Sequence, residues 1–193
     1  MALKLAFAAA VVLACLLPKS SCMVVELKLM SLEVEGGTVA NGYCCDFPSK
    51  RSCSCFLCPK FANCELAMEL CVDPVEQDGD EDPDLCISGQ LVDTGVLADN
   101  TNSFDFEVGK TYGSFTNPSR FQAGTSLDAK VAVKVSIRDE DTLSKADHVH
   151  DFVQVIEPEV ARFVKDKSYK FEYRKERSSG SVVSLKYELK RVE

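Results

Sequence analysis

Residues Ala129-Lys130-Val131-Ala132-Val133-Lys134-Val135-Ser136-Ile137 alternate from end to end. Val131, Val133, Val135 and Ile137 fall on one side, and Lys130 and Lys134 on the other. Successive side chains of an extended chain point to opposite faces, so β-branched residues alternating with lysine read as a strand with one buried face. Shorter stretches on either side carry the same signature. Val25-Glu26-Leu27-Lys28-Leu29 alternates near the start. Val183, Leu185, Tyr187 and Leu189 alternate within the final strand, Val182 to Val192. Cys64 to Val72 reads as a strand or a short helix, with strand preferred, and Cys86 to Val92, Ser103 to Val108, Val149 to Ile156 and Ser168 to Tyr173 supply further short strands. Gly36-Gly37, Asn41-Gly42 and Asn117-Pro118 mark loops and turns between them. About eight short strands with little helical period predict an all-β chain, folded as an antiparallel β-sandwich in one domain.

Composition narrows the class. The 193 residues include 22 basic and 30 acidic side chains, a formal charge of −8, which argues against nucleic-acid backbones as the partner. Ten cysteines are too many for an ordinary cytosolic domain. Residues 1–22 read as a secretory signal peptide. Lys4 precedes an apolar run from Leu5 to Leu17, Pro18 breaks it, and Lys19-Ser20-Ser21-Cys22 offers small residues for cleavage. The run is shorter than the roughly 20 residues a membrane span needs. Residues 23–193 then form the secreted, extracellular domain. Losing Lys4 and Lys19 leaves 20 basic residues against 30 acidic ones, about −10.

Eight cysteines remain after cleavage: Cys44, Cys45, Cys53, Cys55, Cys58, Cys64, Cys71 and Cys86. An even number in an exported chain predicts disulfides, all in the N-terminal half. Their pairing stays open, since eight cysteines allow 105 connectivities. Adjacent Cys44 and Cys45 are badly placed to bridge each other and point to two different partners. Cys53-Ser54-Cys55-Phe56-Leu57-Cys58 has spacing that suits zinc or copper in a reducing compartment; behind a signal peptide, disulfides are the expected state. Residues 73–84 contain seven acidic residues and two prolines, the composition of an exposed, mobile loop.

Several landmarks together resemble a known family. Val25-Glu26-Leu27-Lys28-Leu29 is followed by Asn41-Gly42-Tyr43-Cys44-Cys45, then Cys64 and Glu69-Leu70-Cys71-Val72. Cys86-Ile87-Ser88-Gly89, Thr94-Gly95-Val96-Leu97-Ala98-Asp99-Asn100, Asn102-Ser103-Phe104 and Leu185-Lys186-Tyr187-Glu188-Leu189-Lys190-Arg191-Val192 continue the series. In this order they resemble the N-terminal domain of Notch ligands of the Delta and Serrate/Jagged family, known as MNNL. The resemblance implies a C2-type sandwich and a developmental role in Notch signalling. It departs from the family in lacking tryptophan, and Cys55 and Cys58 look additional. The DSL and EGF modules that follow in the family have no counterpart before Glu193, so modulation rather than activation of a receptor is expected.

The same resemblance implies where function sits. Loops at one end of such a sandwich contact phospholipid, and in some members bind calcium. The corresponding loops here are Glu35 to Tyr43, with Val39 and Tyr43 as apolar tips, and Asp139 to His150. Asp139 and Asp141 would supply hard oxygen ligands to calcium; the plainer reading is a solvated acidic turn. A domain near −10 is repelled by anionic headgroups, so binding would need a calcium bridge or inserted tips.

Asp147-His148-Val149-His150-Asp151 would put both histidines on one side of a strand, a zinc pair without a local third ligand; exposed strand-edge histidines are the ordinary alternative. No catalytic set is apparent: Cys45 is followed by Asp46-Phe47-Pro48 with no histidine, and no Ser-His-Asp context stands out. The expected function is non-enzymatic binding of a Notch-type receptor, another cell-surface protein or phospholipid headgroups. The alternative is a secreted matrix protein holding calcium weakly through acidic loops.

Overall fold

The computed structural model describes residues 23–35, 64–75, 86, 90–98, 101–124, 130–140, 147–156, 167–176 and 182–192. The signal segment 1–22 lies outside them, as do the loop tips Val39 and Tyr43, the cysteines at 44, 45, 53, 55 and 58, and Asp141. The described chain forms eleven strands and no helix. They are β1 (Met23–Glu35), β2 (Leu66–Val75), β3 (Val92–Ala98), β4 (Ser103–Asp105), β5 (Thr111–Tyr112), β6 (Phe115–Thr116), β7 (Ser119–Gly124), β8 (Lys130–Asp139), β9 (Asp147–Ile156), β10 (Ser168–Glu176) and β11 (Val182–Arg191).

One sheet runs β10-β11-β1-β4, with β7 also on β1; the other runs β3-β2-β8-β9; β5 and β6 form a small hairpin. All pairings are antiparallel. The sandwich predicted from alternation is therefore the observed architecture. Val131, Val133, Val135 and Ile137 of β8 stand opposite Pro74, Val72, Leu70 and Met68 of β2. These faces join Leu27, Leu29, Leu185, Tyr187 and Phe121 of the first sheet in one core. Burying a Val or Leu side chain contributes about 1.5–3 kcal/mol, so two interleaved apolar faces dominate the stability.

Strand β1 runs well beyond the predicted Val25–Leu29. Its buried residues are Met23, Val25, Leu27 and Leu29, then Leu32 and Val34, so the parity changes once. A β-bulge between Leu29 and Ser31 makes that change against β11. An extra residue in one strand swaps the face of everything after it. On its other side β1 pairs with β7 over residues 23–27 and with β4 over 31–33, which leaves a gap at Leu29 and Met30. Asn117, wholly buried, fills that gap. Its Oδ1 accepts the Leu29 N–H at 3.0 Å, and its Nδ2 donates to the Leu29 carbonyl at 3.0 Å and to the Glu107 carbonyl at 3.3 Å. The Phe106 N–H donates to the Met30 carbonyl at 2.9 Å. One side chain thus stands in for a strand.

Other expectations shift in detail. The third strand begins at Val92 rather than covering Cys86–Val92; residues 86, 90 and 91 are outside it. Asp93-Thr94-Gly95 contains a left-handed residue, Gly95 at φ +59°. The stretch is held as a strand by tertiary partners: Thr94 Oγ1 accepts the Met68 N–H at 2.9 Å, where the β2–β3 register slips. Strand β7 follows the Asn117-Pro118 turn and carries only Phe121 and Ala123 inward, too short an alternation to stand out. The acidic stretch 73–84 is also not loop from its first residue. Asp73, Pro74 and Val75 complete β2, and Asp73 is wholly buried.

Candidate functional site

The predicted loops spring from one end of the sandwich. Strand β1 finishes at Glu35 and β8 at Asp139. The Val34 N–H donates to the Asn102 carbonyl at 2.7 Å, and the Thr101 N–H to the Cys64 carbonyl at 3.2 Å. The Glu140 N–H donates to the Glu65 carbonyl at 2.9 Å, and the Glu65 N–H to Asp139 Oδ1 at 2.7 Å. This chain of bonds ties the bases of both loops together through residues 64–65 and 101–102. Separations of more than 30 residues in sequence are closed by antiparallel pairing.

Asp139 is brought to this end but not as a solvent-facing ligand. It shares the inward side of β8 with Val135 and Ile137, and it is 0% exposed. One carboxylate oxygen fastens the start of β2. Its neighbour Glu140 reaches the Arg138 guanidinium at 3.4 Å, which also binds Glu69 at 2.9 Å and Asp93 at 3.2 Å. Three carboxylates around one guanidinium leave the outer face near this end with a negative excess. Glu35, half-exposed, adds another carboxylate at the base of the first loop, 4.0 Å from Arg174. An acidic loop base favours cations and disfavours anionic surfaces unless a cation bridges them.

The two histidines do not share a side. Opposite residues of an antiparallel pair project to the same face. His150 faces Ile137, on the core side, while His148 faces Arg138, on the outer side. A bulge between Ile137 and Arg138 separates them, and Val149 takes the extra position. His148 binds Asp151 at 2.7 Å on the outer surface. His150 Nε2 lies 2.8 Å from the Tyr173 hydroxyl and its ring stacks on Tyr173, which in turn stacks on Phe152 at 3.8 Å. His150 is therefore a packing residue between sheets rather than an exposed edge histidine. Burial pushes the Tyr173 and Tyr187 phenols above their usual range.

A third cluster lies on the outer face of the second sheet. Cys71 and Asp73 of β2 and Lys134 of β8 point away from the core, yet each is at most 1% exposed. Lys134 Nζ is 3.2 Å from Asp73 Oδ2. The Cys86 thiol donates to Asp73 Oδ1 at 3.6 Å. The donor atoms of Cys71, Asp73 and Cys86 lie within 4.8 Å of one another. The Cys71 thiol is pushed far up, first by its hydrogen bond with Cys86, then by burial and by the Asp73 carboxylate. Cys64, at the entry to β2, is disulfide-bonded. Sequence reasoning placed Lys134 on an open polar face and Asp73 in a loop. Their pairing needs the β2–β8 register, in which Cys71 faces Lys134.

A family model described as the N terminus of Notch ligand, C2-like domain, matches residues 23–191. Among curated proteins no sequence matches the chain. In fold the chain is similar to the C2A domain of plant extended synaptotagmin 1, with a TM-score of 0.51 and 9% identity over 89% of this chain and 95% of that domain. It is also similar to part of human GIVD cytosolic phospholipase A2, with a TM-score of 0.50 and 14% identity, covering 90% of this chain and 17% of the phospholipase. The chain thus spans about a sixth of the phospholipase's length. At these identities the likeness is one of fold.

Proposed function

Because the chain belongs to the family of Notch-ligand N-terminal C2-like domains, we propose that it is a secreted, non-enzymatic binding module that engages the cell surface through its loop end and modulates Notch-type signalling. The observation that carries this reading is the convergence of the Glu35 and Asp139 loop bases at one end of the sandwich. Loops on a rigid scaffold are the usual carriers of recognition, because they can vary without disturbing the core. The ligand class is the phospholipid headgroup, met through calcium at Asp141 and its neighbours and through the apolar tips Val39 and Tyr43. A receptor of the Notch type is the protein partner that the family supports.

The chemistry sets the strength. Each apolar tip that leaves water contributes about 1.5–3 kcal/mol. The acidic loop bases oppose an anionic surface. Binding by a single domain is therefore weak and cation-dependent.

Liposome co-sedimentation of residues 23–193 over zwitterionic and anionic lipids, with and without calcium, tests this. Calcium-dependent binding that Asp141→Asn abolishes and Val39→Asp weakens is the expected result. Asp139→Asn leaves an oxygen for the Glu65 N–H, so it probes charge without unfastening the loop. Absence of binding in every lipid and calcium condition would end the lipid reading and leave the fold and family untouched.

A further inference from the structure

We propose that β10 pairs with β10 of a second copy of this chain, antiparallel and about a two-fold axis at Tyr173, to form a closed homodimer. Among the described residues β10 pairs with β11 alone and ends its sheet, so its other side offers a backbone ladder to another strand. The other described sheet ends are blunted. β4 is three residues long. β7, β3 and β9 each sit at a register slip. β10 keeps nine residues in unbroken register and contains neither proline nor glycine. It is the described edge best suited to strand addition.

Charge selects the occupant and the register. The outer face of β10 carries Lys170, Glu172, Arg174 and Glu176 in turn, all exposed. An antiparallel copy presents this row backwards, with the opposite sign at every place. With Tyr173 opposite its own copy, Lys170 meets Glu176 and Glu172 meets Arg174, each twice. An axis at Glu172 would set Glu172 on itself and Lys170 on Arg174. An axis at Arg174 would set Arg174 on itself and Glu172 on Glu176. An axis at Phe171 keeps only the Lys170–Glu172 pairs and puts Lys175 opposite Lys167. Contacts within one chain leave these charges available. Lys170 is 3.6 Å from Glu188, but Glu188 has a nearer cation in Lys28 at 3.2 Å, and the Lys170 side chain is 74% exposed. The ion pairs of Glu172 with Lys186 and of Arg174 with Glu35 are long, 3.9 and 4.0 Å. On the inward face Phe171 and Tyr173 are only partly buried at the rim of the core. The partner's Lys175 would lie across from Phe171, its aliphatic stem covering the ring. Exposed ion pairs fix the register, and the backbone ladder and covered aromatics supply the affinity. Each copy uses its one β10 edge, so the assembly stops at two. β10 and β1 are both antiparallel to β11, so β10 also finishes at the loop end, and the dimer points its two loop ends in opposite directions.

Sedimentation velocity of the protein expressed from the full chain, from micromolar to sub-millimolar concentration, should show a reversible dimer. Glu172→Arg and Arg174→Glu each set like charges across the axis and should weaken dimerisation by about tenfold. Glu172→Arg/Arg174→Glu restores opposite charges in this register and should return the wild-type dissociation constant. With the axis at Phe171 the double variant would instead oppose two basic side chains. Both positions are exposed, so circular dichroism should find all three variants folded as wild type. A monomer at every concentration would overturn the proposal. So would a dimer indifferent to the single reversals, a double variant no tighter than the singles, an assembly larger than two, or a dimer that a non-reducing gel shows to be disulfide-linked.

Discussion

Asn117→Ala removes the side chain that stands in for a strand beside β1. Leu29 loses partners for both its N–H and its carbonyl, and Leu29 is wholly buried. A buried polar group left without a partner costs about 1–3 kcal/mol, so the two together cost about 2–6 kcal/mol. The third bond, to the Glu107 carbonyl, is at the surface side of the turn, where water can replace it. A water entering the vacated space would bring the total to the lower end. Urea unfolding followed by circular dichroism measures it. With a slope of about 2 kcal/mol/M, the midpoint should fall by about 1–3 M at unchanged slope. Asn117→Asp sharpens the test. It keeps the acceptor for the Leu29 N–H but sets a buried carboxylate against two carbonyls, which raises its folded pKa, so its deficit should shrink as pH falls towards the unfolded value of about 4, protonation restoring a donor. A midpoint for Asn117→Ala within about 0.2 M of wild type would refute the idea that Asn117 completes the ladder between β7 and β4.

Further outcomes follow from the same geometry. Lys134→Met leaves the Asp73 carboxylate buried without its cation and should cost about 3–5 kcal/mol, most of it recovered in Asp73→Leu/Lys134→Met, as read by thermal unfolding. Thr94→Val leaves the Met68 N–H without its acceptor and should cost about 1–3 kcal/mol in the same assay. Glu188 tests pH linkage. Burial pushes its pKa up, but the hydrogen bond and charge of Lys28, the Ser168 hydroxyl and the charge of Lys170 outweigh burial and hold it lowered. A lowered folded value means stability that is present above the unfolded value of about 4.3 and lost as pH falls through the folded one. Glu188→Gln should therefore flatten the acid limb of the stability curve between pH 5 and pH 3. An identical acid limb in variant and wild type would count against the Lys28–Glu188 contact.

Alternation by itself determined the fold class. Val131 to Ile137, Val25 to Leu29 and Val183 to Leu189 each present one apolar face, and period two admits no other regular structure. The landmarks around Asn41-Gly42-Tyr43-Cys44-Cys45 pointed to the family that the match over residues 23–191 shows. What alternation leaves open is which face a residue takes after a bulge, and what covers the outer face. One extra residue near Leu29 reverses the parity of β1, and another at Val149 sends His148 and His150 to opposite sides. Neither insertion has a local signature, because a bulge is stabilised by its neighbours across the ladder. In sequence Asn117 reads as a turn residue and Asp139 as a loop ligand, and Thr94 carries no signal of burial. Each is buried because a distant backbone group needs a partner there. Lys134 reads as solvated until Asp73 and Cys86 are brought over it. A linear pattern records the preference of each segment for extended chain. Only the packed sheets decide which polar side chains must satisfy what the strands leave unpaired.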